Sequence, residues 1–171
     1  MILLRLFSVL QRVMKMAENT MIKVYAPMSG QVIPVTEVPD AIFSEKMLGD
    51  GAAILPSDGK IVSPVEGTLV NVAETGHAFM FITPEGAEIL LHVGLETVSL
   101  DGVPFNVMAE EGAEVQPGTV LAEVNLEYLR EKGIETVSPT VVCGGPEYRL
   151  RFEKIAEAAA GKQLLYTIEH V

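Results

Sequence analysis

His77 and His92 are two of only three histidines in the 171-residue chain, and they flank one short turn. The first lies in Glu74-Thr75-Gly76-His77-Ala78-Phe79 and the second in Leu90-Leu91-His92-Val93-Gly94-Leu95-Glu96. Between them, Thr83-Pro84-Glu85-Gly86 predicts a turn, with residues 77–82 and 87–93 as the two strands of a hairpin. With Pro84-Glu85 as the loop, Thr83 faces Gly86 and His77 faces His92. A four-residue loop gives the same pairing, and a bulge shifts it by one. Directly opposed residues have Cβ atoms about 4.5–5.5 Å apart. Two imidazoles at that separation can share one proton, one metal ion or one phosphoryl group.

Alternation assigns the faces. Ile89, Leu91 and Val93 are apolar and predicted to point inward, so His92 falls with Glu88 and Leu90 on the less buried face. A histidine there is largely uncharged near neutral pH, and a neutral imidazole with one free ring nitrogen is a nucleophile. The other nitrogen needs a partner to fix the tautomer. The turn Gly94-Leu95-Glu96 can offer a carbonyl, and Glu96 a carboxylate. His77 can donate a hydrogen bond to an oxyanion formed on His92, and Thr75 can orient His77. A shallow nucleophile in apolar surroundings suits a protein substrate better than a small molecule. Phosphoryl transfer asks mainly for positioning and charge stabilisation, and no Walker-type or kinase glycine-rich loop is present. On spacing alone, two ordinary structural histidines compete evenly with this reading.

The elements that must carry the pair are short strands. With 15 glycines and 10 prolines spread along the chain, the pattern after Lys23 is strand, turn, strand. Strands are expected in 23–27, 31–35, 59–64, 67–72, 111–124 and 163–168, which suggests a sandwich or barrel. The phrases at 26–32, 63–69 and 116–121 echo one another around prolines and can mark halves of a folded-over sheet. Helices are expected at 126–133, stopping at Gly133, and at 152–161, stopping at Gly161. Cys143, the single cysteine, reads as a buried small hydrophobe. His170 reads as exposed and incidental.

Met1 to Met16 form a basic stretch in which Leu3, Leu6, Phe7, Leu10 and Met14 fall on one helical stripe. Interrupting polar residues and the lack of a small-residue cleavage site argue against a signal peptide, and the stretch is too short and charged to span a bilayer. An amphipathic helix lying weakly on an anionic membrane surface is one reading; a later start at Met14, Met16 or Met21 is the other. This segment holds Arg5, Arg12 and Lys15 and no acid. Of 12 basic and 23 acidic residues in the chain, the other nine basic and all 23 acidic lie beyond it, a net −14. Such a body repels nucleic acid and suits a partner with a basic docking face.

Three motifs in order give a resemblance. Val38-Pro39-Asp40-Ala41-Ile42-Phe43 with Gly49-Asp50-Gly51 resembles the VPDxxFxxxxxGDG signature of glucose-family enzyme IIA of the bacterial phosphotransferase system. Glu74 to Phe79 resembles its ETxHAF motif, and Leu91 to Phe105 its HxGxDTVxLxGxxF motif. Glu96 stands where the family usually has Asp, and Ala73 where some members have Phe. The match runs from about Val24 to Val142. The resemblance implies an all-β fold, a compact antiparallel β-sandwich of the barrel-sandwich hybrid type with one or two short surface helices. It implies a basic segment at 1–20 and a phosphocarrier domain at 21–171. It implies a cytoplasmic monomer, with an option of peripheral contact at the inner face of the membrane. His92 is then the residue that accepts a phosphoryl group from phosphohistidine on HPr and passes it to a cysteine of a sugar-specific enzyme IIB. His77, Thr75, Gly94 and Glu96 complete the catalytic set, and Ile42, Phe43, Met47 and Val98 form the docking rim. No cofactor is required for transfer, although His77 and His92 are carried over as zinc ligands in a regulatory complex.

Two rival readings are weaker. Glu111-Gly112-Ala113-Glu114-Val115-Gln116-Pro117-Gly118 resembles a phrase of biotinyl and lipoyl carriers, but no lysine sits at a hairpin tip, and the lysine of Met14-Lys15-Met16 falls inside a helical stripe. A zinc peptidase of the lysostaphin-like class needs three protein ligands, and only two histidines are paired here.

Overall fold

The computed structural model describes the backbone of residues 2–17 and 20–171 and the side chains of residues 3–11 and 20–171. In chain order the elements are α1 (Ile2–Ala17), β1 (Ile22–Tyr25), β2 (Gly30–Pro34), α2 (Ala41–Ser44), β3 (Gly49–Pro56), β4 (Lys60–Val62), β5 (Gly67–Val72), β6 (Ala78–Ile82) and β7 (Glu88–His92). They continue with β8 (Phe105–Val107), β9 (Glu114–Val115), β10 (Val120–Val124), α3 (Leu126–Glu131), β11 (Ser138–Cys143), β12 (Tyr148–Phe152), β13 (Glu157–Ala158) and β14 (Leu164–His170). An eight-stranded sheet runs in the order β13-β2-β3-β11-β7-β6-β5-β9, and two three-stranded sheets run β1-β14-β12 and β4-β10-β8. The pairs are antiparallel, as the short strands and tight turns predict.

The eight-stranded sheet is apolar on both faces around its centre. Leu91, Ile89, Phe79 and Phe81 are fully buried and join Ile54, Leu69 and Leu121 in the main core. The opposite face carries a smaller cluster of Val35, Val38, Phe43, Ala53, Leu95, Val137 and Val141, with Ile33 and Leu90 packed against it. His92 belongs to this second face, because it alternates with Leu91 along β7. Tyr166 is fully buried, and its hydroxyl donates to the Thr140 carbonyl at 2.9 Å, which removes the cost of an unpaired phenol in the core.

Two strands at the heart of the sheet were not in the sequence-based expectation. β3 begins Gly49-Asp50-Gly51-Ala52-Ala53, a composition that reads as a turn. Its small residues are demanded by its neighbour: a Cβ on Gly51 would sit 2.1 Å from the Thr140 carbonyl oxygen, and one on Gly49 1.8 Å from that of Val142. The backbone of β11 lies where side chains would be.

The helix expected over 152–161 is absent. Glu153 N–H donates to Leu165 O at 2.9 Å, Ala156 O accepts from Val32, and Ala160 N–H donates to Ser29 Oγ. Long-range partners thus use the backbone groups that a helix would have paired internally, and tertiary context overrides the alanine-rich propensity. α3 and β14 form where expected. The echoing phrases also have a structural counterpart. Tyr25 N–H donates to Pro64 O and Val62 N–H to Pro27 O, while Ser63 exchanges hydrogen bonds with Thr119 and Gly118. The proline turns meet one another where the sheets fold over. Cys143 is half-buried rather than buried, on the same face as His92, and burial together with Glu88 pushes its thiol pKa up. His170 is exposed, its ring edge-on to Tyr148.

Candidate active site

The hairpin exists, but its register differs from the expected one. Ala78, not His77, faces His92, and Ile82 faces Glu88. Thr83 N–H donates to Ala87 O, leaving a three-residue loop, Pro84 to Gly86, in which Gly86 takes a positive φ of 90°. An odd loop shifts the pairing by one residue. Strict alternation would then turn His77 toward the core. His77 escapes because it lies outside β6. Gly76, with φ at 73°, ends a tight turn closed by its own N–H to Ala73 O, and His77 O accepts from Val93 N–H at 2.7 Å. A Cβ on Gly76 would meet Val107 Cγ2 at 2.7 Å, so both dihedral and space call for glycine. The rings of His77 and His92 come together, centroids 5.1 Å apart and inclined at 71°.

Each ring is held by its Nδ1. His92 Nδ1–H donates to the Gly94 carbonyl at 2.7 Å. A carbonyl only accepts, so this contact places the proton on Nδ1 and leaves Nε2 with a free lone pair in the neutral ring. Thr75 Oγ1 lies 2.5 Å from His77 Nδ1. A hydroxyl both donates and accepts; when it donates there, His77 carries its proton on Nε2. Burial lowers the pKa of both histidines. For His77 the neighbouring His92 adds to the effect, and for His92 the Gly94 carbonyl and the Asp40 carboxylate oppose it. Both rings are therefore neutral near pH 7.

The Gly94 carbonyl is aimed by its surroundings. Gly94 has φ at 69°, its N–H donates to Ser138 Oγ at 3.1 Å, and the next N–H, of Leu95, donates to Glu135 O at 3.0 Å. Thr97 Oγ1 closes the turn by donating to Val93 O. The carboxylate whose charge reaches His92 is that of Asp40, not Glu96 as the sequence suggested. Asp40 caps α2 by accepting from Ile42 N–H at 2.9 Å, whereas Glu96 is exposed in a left-handed conformation. Asp40, Glu96 and Glu135 line one cleft beside the site, about 320 Å³ in volume, with Pro39, Leu95 and Ile134.

Three of the four side chains expected on an apolar rim are exposed. Ile42, Met47 and Val98 are 46%, 68% and 56% exposed, large fractions for such side chains. Phe43 is not part of it: only 4% exposed, it packs its ring 5.5 Å from that of His92 and forms the wall behind it. Sequence reasoning passed over Asp40, Ser138 and Thr97. Asp40 was detectable as an acidic residue just before a short apolar run, the pattern of an N-cap. Nothing local marks Ser138, which lies 44 residues from its partner.

A ring nitrogen with a free lone pair, a second imidazole against it and exposed apolar side chains thus lie together at one place on the sheet. The chain belongs to the EIIA 1 family of the phosphoenolpyruvate-dependent sugar phosphotransferase system, whose model matches residues 22–148. It is 44% identical over 148 residues to the glucose-specific EIIA component of Halalkalibacterium halodurans, covering 85% of each chain. It is 36% identical over 148 residues to the glucose-specific EIICBA component of Staphylococcus saprophyticus, covering 86% of this chain and 22% of that longer protein. Among solved structures, glucose permease IIA from Mycoplasma capricolum superposes with a TM-score of 0.82 at 38% identity, over 87% of this chain and 96% of that one. The antiparallel β architecture and the membership of a sugar phosphotransferase system are thereby established.

Proposed function

We propose that His92 carries the phosphoryl group between HPr and a sugar-specific enzyme IIB. The single observation that supports this most is the Nδ1–H bond from His92 to the Gly94 carbonyl, because it leaves Nε2 free in a ring that lies against that of His77. In the first transfer the Nε2 lone pair attacks phosphorus. The bond from phosphorus to the donor histidine breaks, and its electron pair returns to that imidazole. The His92 ring becomes cationic as its bond to phosphorus forms. The Gly94 carbonyl dipole and the Asp40 charge, which favour the charged ring in the free protein, stabilise it there too. His77 Nε2–H, set by Thr75, donates to the phosphoryl oxygens. In the second transfer a cysteine thiolate of enzyme IIB attacks, and His92 leaves neutral.

The exposed Ile42, Met47 and Val98 serve as the docking contact for both partners, and the acidic cleft at Asp40, Glu96 and Glu135 complements a basic donor face. Glu96 acts there through its charge. His77 and His92 would be the residues to hold a zinc ion in a regulatory complex, and a docked protein would have to complete the ligand set usual for zinc, since among the described residues no group of three or more metal-ligating side chains gathers. Transfer itself needs no cofactor. The protein works as a monomer on the cytoplasmic side. No helix among the described residues is long and apolar enough to cross a membrane. Leu3, Leu6, Phe7 and Leu10 of α1 are all at least 60% exposed, which supports weak contact of that helix with an anionic bilayer surface.

Incubation with enzyme I, HPr and labelled phosphoenolpyruvate, followed by peptide mapping, tests the proposal. Label is expected on the peptide containing His92. Label on another residue, or none at all, refutes it.

A further inference from the structure

Gly94 carries two loads: a left-handed backbone and the carbonyl that sets the His92 tautomer. Left-handed conformations are not stable by themselves in a chain of L-residues, and glycine merely permits them. Something must hold this one. Ser138 lies at the start of β11, fully buried, with its hydroxyl donating to Thr136 O at 2.9 Å. Its single proton is thereby used, so its lone pair faces outward and accepts the Gly94 N–H at 3.1 Å. On the other side of the same residue, the peptide joining Gly94 to Leu95 donates its N–H to Glu135 O. A chain of hydrogen bonds runs from His92 Nδ1–H through the Gly94 carbonyl and the Leu95 N–H to Glu135, each bond polarising the next. Gly94 is thus fixed at both ends by residues 135–138, a segment distant in sequence that touches neither ring among the contacts described.

We propose that Ser138 is a positioning residue for His92: by accepting the Gly94 N–H it holds the Gly94 carbonyl against Nδ1 and keeps Nε2 the free, nucleophilic nitrogen. What the positioning serves rests on the phosphocarrier reading above, but the positioning itself is measurable without any partner. In Ser138→Ala the Gly94 N–H loses its acceptor, the turn relaxes, and His92 samples both neutral tautomers.

Nitrogen-15 NMR of the imidazoles, in the full chain above pH 7, reads the tautomer directly. Wild type is expected to show a protonated Nδ1 and an unprotonated Nε2 on His92. Ser138→Ala is expected to show averaged nitrogen shifts and to accept phosphoryl from HPr about tenfold more slowly, the worth of one ordinary hydrogen bond. Ser138→Thr, which keeps the hydroxyl, is expected to retain both the tautomer and most of the rate. A Ser138→Ala protein that melts at lower temperature yet keeps the wild-type tautomer and rate overturns the proposal, because its role is then structural only. A folded Ser138→Thr protein that loses the tautomer despite its hydroxyl overturns it as well. If Ser138→Ala does not fold, this threonine comparison decides alone. A wild-type protein that shows the expected tautomer but takes no label from HPr refutes the phosphocarrier reading and leaves the positioning role standing.

Discussion

Replacing Gly94 by alanine tests the site through its most crowded point. The residue has φ at 69°, and a Cβ placed there would lie 2.7 Å from Thr97 Cγ2 and 3.0 Å from Glu135 O. The left-handed backbone costs an L-residue about 1–2 kcal/mol. The clash with a fully buried threonine methyl adds about 1–3 kcal/mol of overpacking, since neither Thr97 nor the Glu135 backbone has room to swing away. The expected loss is therefore about 2–5 kcal/mol of a total that is normally about 5–15. For a chain of this length the melting temperature should fall by about 4–20 °C. The functional loss follows from direction. The added carbon drives the turn away from Thr97 and lengthens the 2.7 Å bond from His92 Nδ1 to the Gly94 carbonyl. If His92 carries the phosphoryl group as proposed, that bond is made by a cationic ring and is worth about 1.5–3 kcal/mol, so acceptance from HPr should slow by about 10- to 150-fold.

The structure also predicts a partial rescue. Thr97→Ser removes Cγ2 and keeps Oγ1, which donates to Val93 O at 2.8 Å. The double variant Gly94→Ala/Thr97→Ser should recover the part of the stability lost to the methyl clash. It should not recover the part lost to the dihedral or to the Glu135 carbonyl. Thermal denaturation and rapid-quench measurement of label transfer from phospho-HPr check both statements. Gly94→Ala with wild-type stability and rate would show that the turn does not constrain His92. A double variant no better than the single would show that Thr97 is not what the new methyl meets.

His92→Ala should abolish uptake of label from HPr, and a variant that still takes it up removes His92 from the role. His77→Gln should accept phosphoryl but fail to hand it to enzyme IIB, which coupled sugar phosphorylation would report; normal sugar phosphorylation would contradict a role for His77. Because burial holds both histidines below the ordinary value of 6.5, their neutral forms prevail above it and the unfolded chain binds more protons below it. Stability and phosphoryl acceptance should therefore be flat above about pH 6.5 and decline as pH falls further, and the slope in stability should be smaller in His77→Gln/His92→Gln; an unchanged slope would place the acid sensitivity elsewhere. Thr140 Oγ1 is buried and has no hydrogen-bond partner among the described residues, so Thr140→Val should raise stability by about 1 kcal/mol, measured as a later denaturation midpoint; a loss would mean the hydroxyl has a partner in solution.

Residue types at the site were legible in the sequence, and their geometry was not, for a reason of parity. With a loop of two or four residues His77 faces His92, and with a loop of three it faces Val93, turned toward the other side of the sheet. Pro84-Glu85-Gly86 makes three, because Thr83 pairs with Ala87. No feature of that tetrapeptide distinguishes the cases, yet the two rings still meet. The strand register places His92 alone, and the turn at Gly76 places His77. The same limit hid β3, whose glycines and alanines are small to admit the backbone of β11 rather than to make a turn. It hid Phe43 as well, which sequence assigned to the rim and the fold buried behind His92. In each case the missing information was a contact between distant segments. The two rings therefore have different supports, His92 a strand and a turn bonded to Ser138, His77 a turn packed against Phe105 and Val107, and one backbone bond, from Val93 N–H to His77 O, ties the supports together. A shift in either turn should move its own ring most. On the proposed phosphocarrier role, that difference in support is consistent with substitutions at His77 and at His92 failing at different steps of the transfer.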